Sequence, residues 1–107
     1  MPEAANWHYV VAELDKTEFG LDRDVLVDLL FAENVLARRY FHPGCHRMTP
    51  HLPADGSPPP ALPATESACA RVLVLPAGAA IALDDVADIC ALIRFIAGNA
   101  AAIAGRL

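Results

Sequence analysis

The sequence predicts an α+β domain, a small and mostly antiparallel sheet of about three strands with two main helices packed on one face. Three observations predict it. A chain of 107 residues has the length of one domain with one core. Helical hydrophobic spacing occurs twice, over residues 23–34 and again from residue 84 onward. Between these stretches lie short runs of β-branched and aromatic residues, bounded by glycine and proline. The resulting order of strand, helix, strand, loop with a short helix, strand, helix reads as a single domain over residues 1–107 without an internal repeat.

The first strand is predicted over Asn6 to Asp15, where NWHYVVAELD alternates loosely. Phe19 and Gly20 then turn the chain, which places Lys16 in a turn, and Asp22 is a suitable N-cap for a helix starting at Arg23. That helix sets Val25, Leu26, Leu29 and Leu30 along one side and ends at Asn34. A second strand is predicted over Val35 to His42, with Arg39 and Phe41 on one face and Arg38, Tyr40 and His42 on the other. Neither face is wholly apolar, which predicts an edge position, and Pro43-Gly44 ends the strand.

Residues 48–63 hold six of the nine prolines and no periodicity, and are expected to form an extended surface loop within the domain. Thr65 is placed to cap a short helix over Glu66 to Ala70. Arg71 to Leu75 then reads as a short, central third strand ended by Pro76 and Gly78. In the last helix Val86, Ile89, Cys90, Ile93 and Ile96 follow a helical stripe from the acidic start Asp84-Asp85, and the helix is expected to fray or run on through the alanine-rich tail.

Alanine supplies about a fifth of the residues and little burial apiece, so the core is expected from Trp7, Tyr9, Phe19, Phe31, Phe41, Phe95 and the aliphatics around them. Cys45, Cys69 and Cys90 are odd in number and form no C-x-x-C pair. They read as reduced thiols, with Cys69 and Cys90 as core fillers.

A formal charge of −5, with Arg38, Arg39 and Arg47 as the sole basic grouping, argues against nucleic-acid binding, which needs a dense positive surface. The opening residues lack a signal-peptide pattern, and Arg94, Gly98 and Asn99 interrupt the apolar tail before it reaches membrane-spanning length. A soluble cytoplasmic protein that binds neither nucleic acid nor membrane is the expectation.

The stretch NVLARRYFHPGCHRMTPH, residues 34–51, gathers three of the four histidines. His42, Cys45, His46 and His51 offer zinc-like ligand types, which keeps a metal-binding domain as a weaker alternative. Adjacent Cys45 and His46 rarely share one ion, and no second half completes a tetrahedral set, so no metal is expected. Arg38 and Arg39 lie on opposite strand faces: one is expected to pair with an acidic helix residue such as Asp28 or Glu33, the other to face an anionic ligand. Asp84, Asp85 and Asp88 are explained by a helix start rather than by acid–base chemistry. His46 has a plain alternative role, pinning the turn through backbone hydrogen bonds.

Three ordered blocks, ENVLARRYFHPGCHRM, LPATESACARVLVLPAG and DDVADICALIRFIAGNAAAI, resemble the C-terminal small domain of DegT/StrS-type aminotransferases. The resemblance starts near Asn6 and runs almost to Leu107. It implies descent from fold-type I, pyridoxal-phosphate-dependent enzymes that aminate keto-sugars carried on nucleotides. It also implies that Tyr40, His42, His46 and Arg39 stand on the substrate side of a cleft between domains and subunits.

The lysine that holds the cofactor in such enzymes belongs to a large N-terminal domain, and the single lysine here, Lys16, is not in that context. Transamination needs an amine beside the cofactor, a carboxylate at the pyridine nitrogen and a phosphate site, and no Gly-rich phosphate loop occurs. The chain alone is therefore expected to bind no cofactor, to carry no catalytic residue and to be inactive, as a fragment, a split enzyme or a truncated relative. Thr49, Pro50 and His51 depart from the glutamate and proline-tyrosine that relatives often carry after the turn. The alternative is a non-catalytic interaction module that self-associates. Its partners would be further copies of itself or the missing large domain.

Overall fold

A computed structural model describes residues 9–107. Asn6 to His8 of the expected first strand, Trp7 among them, lie outside the described residues. The elements run β1 (Val10–Glu13), α1 (Lys16–Phe19), α2 (Arg23–Ala32), β2 (Arg38–Arg39), α3 (Pro63–Arg71), β3 (Val72–Leu75), α4 (Leu83–Gly98) and α5 (Ala100–Ala104). The three strands form one antiparallel sheet in the order β1-β3-β2, so the α+β fold holds, with β3 central and β2 at an edge.

The pleat decides which side chains meet the helices. Ala12 pairs with Leu73 and Leu73 with Arg39, while Val11 pairs with Val74 and Val74 with Arg38. Cross-strand partners share a face. Leu73 is 2% exposed and packs in one cluster with Leu21, Leu26, Val27, Leu30, Ala37, Ile96 and Ala100. Val11, Val74 and Arg38 therefore occupy the opposite face, and Val11 and Arg38 are exposed there.

Asp22 caps α2 by accepting from the Val25 N–H at 3.1 Å, where the sequence places the cap. Asn34 follows the helix in the left-handed region at φ 63°, a conformation asparagine tolerates better than most residues.

Several boundaries differ from expectation, each for a local reason. Asp15 accepts from Thr17 and Glu18 and starts the one-turn helix α1 where a plain turn was expected. Gly20, at φ 94°, closes it. The second strand shrinks to two residues, and at its C-terminal end Phe41 takes a left-handed φ of 52° that breaks the extended run. Within the expected loop, Thr49–His51 forms a 3-10 turn, and α3 opens with Pro63 at its first position instead of a Thr65 cap.

The last helix does not run on smoothly: it stops at Gly98, and α5 begins after Asn99. Only its C-terminal half packs, through Leu92, Ile93 and Ile96. Val86 and Cys90 on the expected stripe are exposed, whereas Cys69 is buried as expected.

The expected aromatic core is overturned. Phe31 is 63% and Phe95 67% exposed, and Tyr9 and Phe41 are about half exposed. Phe19 alone of the described aromatic candidates packs against the cluster. The core is aliphatic, and much of the large apolar surface of this domain faces outward.

Candidate functional site

The turn from Tyr40 to Arg47 follows β2 and holds most of the chemistry singled out in the sequence. Its backbone is unusual at three successive places. Phe41 is left-handed, the His42–Pro43 peptide is cis, and Gly44 has φ 108°. The Gly44 N–H donates to the Phe41 carbonyl at 2.6 Å, and the Arg47 N–H to the Gly44 carbonyl at 3.0 Å. Gly44 is buried, and a methyl group there would lie 2.7 Å from Cε1 of His46. Glycine is thus required twice over, by conformation and by space.

Tyr40 is half-buried and sits in an aromatic group. Its ring lies edge-on to Tyr9 with centroids 5.9 Å apart, and tilted against Phe41 at 4.3 Å. Such offset geometries suit the ring quadrupoles. Cys69 reaches the same turn, its Sγ standing 3.8 Å from the Phe41 carbonyl oxygen.

The two histidines face different surroundings. His42 is exposed and approached by Arg23, whose Nη2 stands 3.3 Å from its Nδ1. His46 has a side chain only 7% exposed and meets Glu66 through Nε2 at 3.3 Å. Arg47 also pairs with Glu66. These contacts hold the Glu66 carboxyl below its ordinary 4.5, the His46 hydrogen bond first and Arg47 after it. An ionised Glu66 only accepts, so His46 donates from Nε2, and in the neutral ring Nδ1 then carries no proton. That Nδ1 is buried with no partner among the described residues. His46 therefore ties the turn to α3 through a side chain, whereas the sequence offered backbone bonds.

Arg39, placed by the resemblance on the substrate side, points to α2. It donates from Nε to Asp24 at 2.7 Å and from Nη2 to Asp28 at 3.1 Å. The hydrogen bond from Arg39 is the main cause that lowers the Asp24 carboxyl from its ordinary value, and the same bond raises Arg39. The expected pairing of one arginine with Asp28 is met, by Arg39. Arg38 has no ion-pair partner among the described residues. It lines a cavity of about 230 Å³ with Tyr9, Leu36 and Val74, and both Arg38 and Val74 belong to the sheet face opposite the core cluster.

Sequence reasoning missed Arg23. It is 2% exposed, and its Nη1 donates to the carbonyls of Cys69 at 2.6 Å and Val72 at 2.8 Å. Its Nε donates to Asp24 at 2.8 Å. The signal was present, because Arg23, Leu26, Val27 and Leu30 follow the i, i+3, i+4, i+7 stripe that is buried in α2.

No three His, Cys, Asp or Glu side chains converge as metal ligands among the described residues. A second groove of about 460 Å³ lies between the end of α2 and the start of α4, lined by Val35, Leu36, Ile81 and Ile89 with Glu33, Asp85 and Asp88. Lys16 is exposed on α1, beside a cleft carrying Glu13, Asp15 and Glu18. Carboxylates in both places repel a phosphate ester. No described helix is long and apolar enough to cross a membrane.

The family model for DegT/DnrJ/EryC1/StrS aminotransferases matches residues 1–94. Among solved structures, the crystal structure of DesI in the presence of its TDP-sugar product matches with a TM-score of 0.79 and 41% sequence identity, over 92% of this chain. The match covers 24% of the DesI chain, so this chain spans about a quarter of that relative's length. Among curated proteins, none matches.

Proposed function

The chain belongs to the DegT/DnrJ/EryC1/StrS aminotransferase family, and from that membership we propose that it is the C-terminal small domain of a pyridoxal-phosphate-dependent nucleotide-sugar aminotransferase. The observation that carries this reading is the 41% identity to DesI over 92% of the chain, together with the TDP-sugar product named for that structure. In this role the domain forms one wall of the cleft in the cytoplasmic enzyme and part of a subunit interface. The cofactor lysine, the acidic partner of the pyridine nitrogen and most phosphate contacts come from a large domain, on the same polypeptide or another. The chain alone is not catalytic.

Tyr40 and His42 carry the substrate-facing role, with Arg38 as the neighbouring cation. Arg39 and His46 act behind them. Arg39 ties the β2 edge to α2, and His46 ties the turn to α3. The test combines this chain with a family large domain that carries the cofactor lysine. Recovery of Schiff-base absorbance and of amination of a TDP-keto-sugar is expected. A large domain that is equally active without this chain would overturn the reading.

A second reading rests on a specific observation, the exposed apolar side chains of Val11, on the sheet face opposite the core cluster, and of Phe31 and Phe95 on the helices. On this reading the domain persists as a non-catalytic module that self-associates through one of these exposed apolar surfaces. Sedimentation separates the two readings. A chain that dimerises alone and does not respond to the large domain supports the module.

A further inference from the structure

We propose that Arg23 is a positioning residue that fixes the tautomer of His42, so that His42 presents Nε2–H as a hydrogen-bond donor to an oxygen acceptor on a ligand. Guanidinium has five N–H donors and no acceptor, and it stays protonated at any pH the fold survives. A bond between Arg23 Nη2 and His42 Nδ1, here 3.3 Å long, can form only if Nδ1 is the acceptor. In the neutral ring the proton then sits on Nε2.

Arg23 has little freedom to choose otherwise. Its side chain is 1% exposed, and Nη1 and Nε are held by the carbonyls of Cys69 and Val72 and the carboxylate of Asp24. The fork is therefore locked on three sides, and the remaining nitrogen is aimed at the histidine. A lysine would supply one point charge in place of this planar set.

The contrast with His46 makes the point specific. In the neutral state both rings carry their proton on Nε2, but His46 spends its Nε2–H on Glu66 in a buried setting. His42 is exposed, and its Nε2 has no partner among the described residues. Of the two histidines only His42 holds an outward donor. The partner it fits is an acceptor oxygen, a sugar hydroxyl or carbonyl or a phosphate oxygen, and assigning that oxygen to a ligand rests on the proposed aminotransferase role.

The test is long-range proton–nitrogen NMR on the chain at about pH 8.5, where a histidine ring is ordinarily neutral, with His42 assigned by loss of its signals in His42→Gln. A bare Nδ1 and a protonated Nε2 are expected, and a protonated Nδ1 overturns the proposal. In Arg23→Met the Nδ1 signal should move toward a mixed-tautomer position, and an unchanged signal likewise overturns it. If Arg23→Met fails to fold, scalar coupling across the N–H···N bond in the unsubstituted chain decides: observed coupling supports the proposal and its absence overturns it.

The ligand half has its own readout. His42→Phe, in the assembly with the lysine-bearing domain, should weaken TDP-hexose binding about tenfold, the loss of one hydrogen bond. Unchanged affinity alongside the expected tautomer overturns the substrate-facing reading of His42, while the Arg23 assignment stands.

Discussion

The guanidinium of Arg23 donates to the carbonyl of Cys69 at 2.6 Å, joining the first turn of α2 to the last turns of α3 across 46 positions of sequence. The same nitrogen reaches Val72, where α3 passes into the central strand. One side chain thus sets how the helix layer meets the sheet. Arg23→Leu would match the apolar stripe but leave both carbonyls without that donor, at about 1–3 kcal/mol for each unsatisfied group. The expected outcome is a large drop in urea midpoint with an unchanged dependence on urea. A midpoint within error of the parent would mean that water replaces the guanidinium at no cost.

Gly44 supplies the next prediction. A methyl group at this position would sit 2.7 Å from Cε1 and 2.9 Å from Nδ1 of His46, on a backbone at φ 108°. Gly44→Ala should cost about 1–3 kcal/mol from conformation alone, with the clash added to it. His46→Ala removes the clash and leaves the strained φ. The double variant should therefore be less destabilised than the sum of the two single changes, as a double-mutant cycle in urea would read.

Two carboxylates predict the acid limb of stability. Asp24 is held below its ordinary 3.8, chiefly by the Arg39 hydrogen bond, and Glu66 below 4.5, chiefly by His46. Because the folded values are the lower ones, the unfolded chain takes up protons first as pH falls. Their contribution is complete above the unfolded values and disappears as pH falls through the folded ones. Urea midpoints should decline below about pH 4.5, and Glu66→Gln should flatten that decline while lowering the midpoint at pH 7. A variant profile parallel to the parent across the range would exclude Glu66 from the effect.

The parts of the fold legible in sequence were those governed by local chemistry. Asp22 followed by Arg23 marked the helix start, and the mixed faces of Val35 to His42 marked an edge strand. In the core, size is a poor guide to burial. Phe31 and Phe95 are large and apolar yet face outward, while Arg23 occupies the buried stripe. Hydrophobicity alone cannot tell a residue packed inside a domain from one awaiting a partner. The site was legible as a cluster but not as a division of labour. Arg38 and Arg39 part by the strand's alternation, which the sequence shows, whereas His42 and His46 part along a turn whose course Phe41 and Gly44 set through φ values that composition does not reveal.

Neighbouring residues of α2 offer a direct check on size against burial. Leu30 is 0% exposed and Phe31 is 63% exposed. Leu30→Ala should destabilise the domain by about 2–5 kcal/mol, through lost burial and the cavity left behind. Phe31→Ala removes a larger side chain and should change stability by no more than about 0.5 kcal/mol. Thermal or urea unfolding of the pair decides it, and a Phe31→Ala cost comparable with that of Leu30→Ala would restore the aromatic core.

The sheet face opposite the core cluster carries the last prediction. Val11 on β1 stands beside Val74 on β3, and Val74 beside Arg38 on β2, so an apolar strip runs toward a cation on the face opposite the core cluster. Val11 is 45% exposed. A charge at that position in a lone domain would be solvated at little cost, whereas under a docked partner it would lose its hydration. Val11→Glu should leave the unfolding midpoint within about 0.5 kcal/mol of the parent in the isolated chain. In sedimentation the same change should weaken association, with the large domain or with a second copy, by about tenfold or more. Undiminished association by a folded Val11→Glu chain would move the interface off this face and onto the side of Phe31 and Phe95.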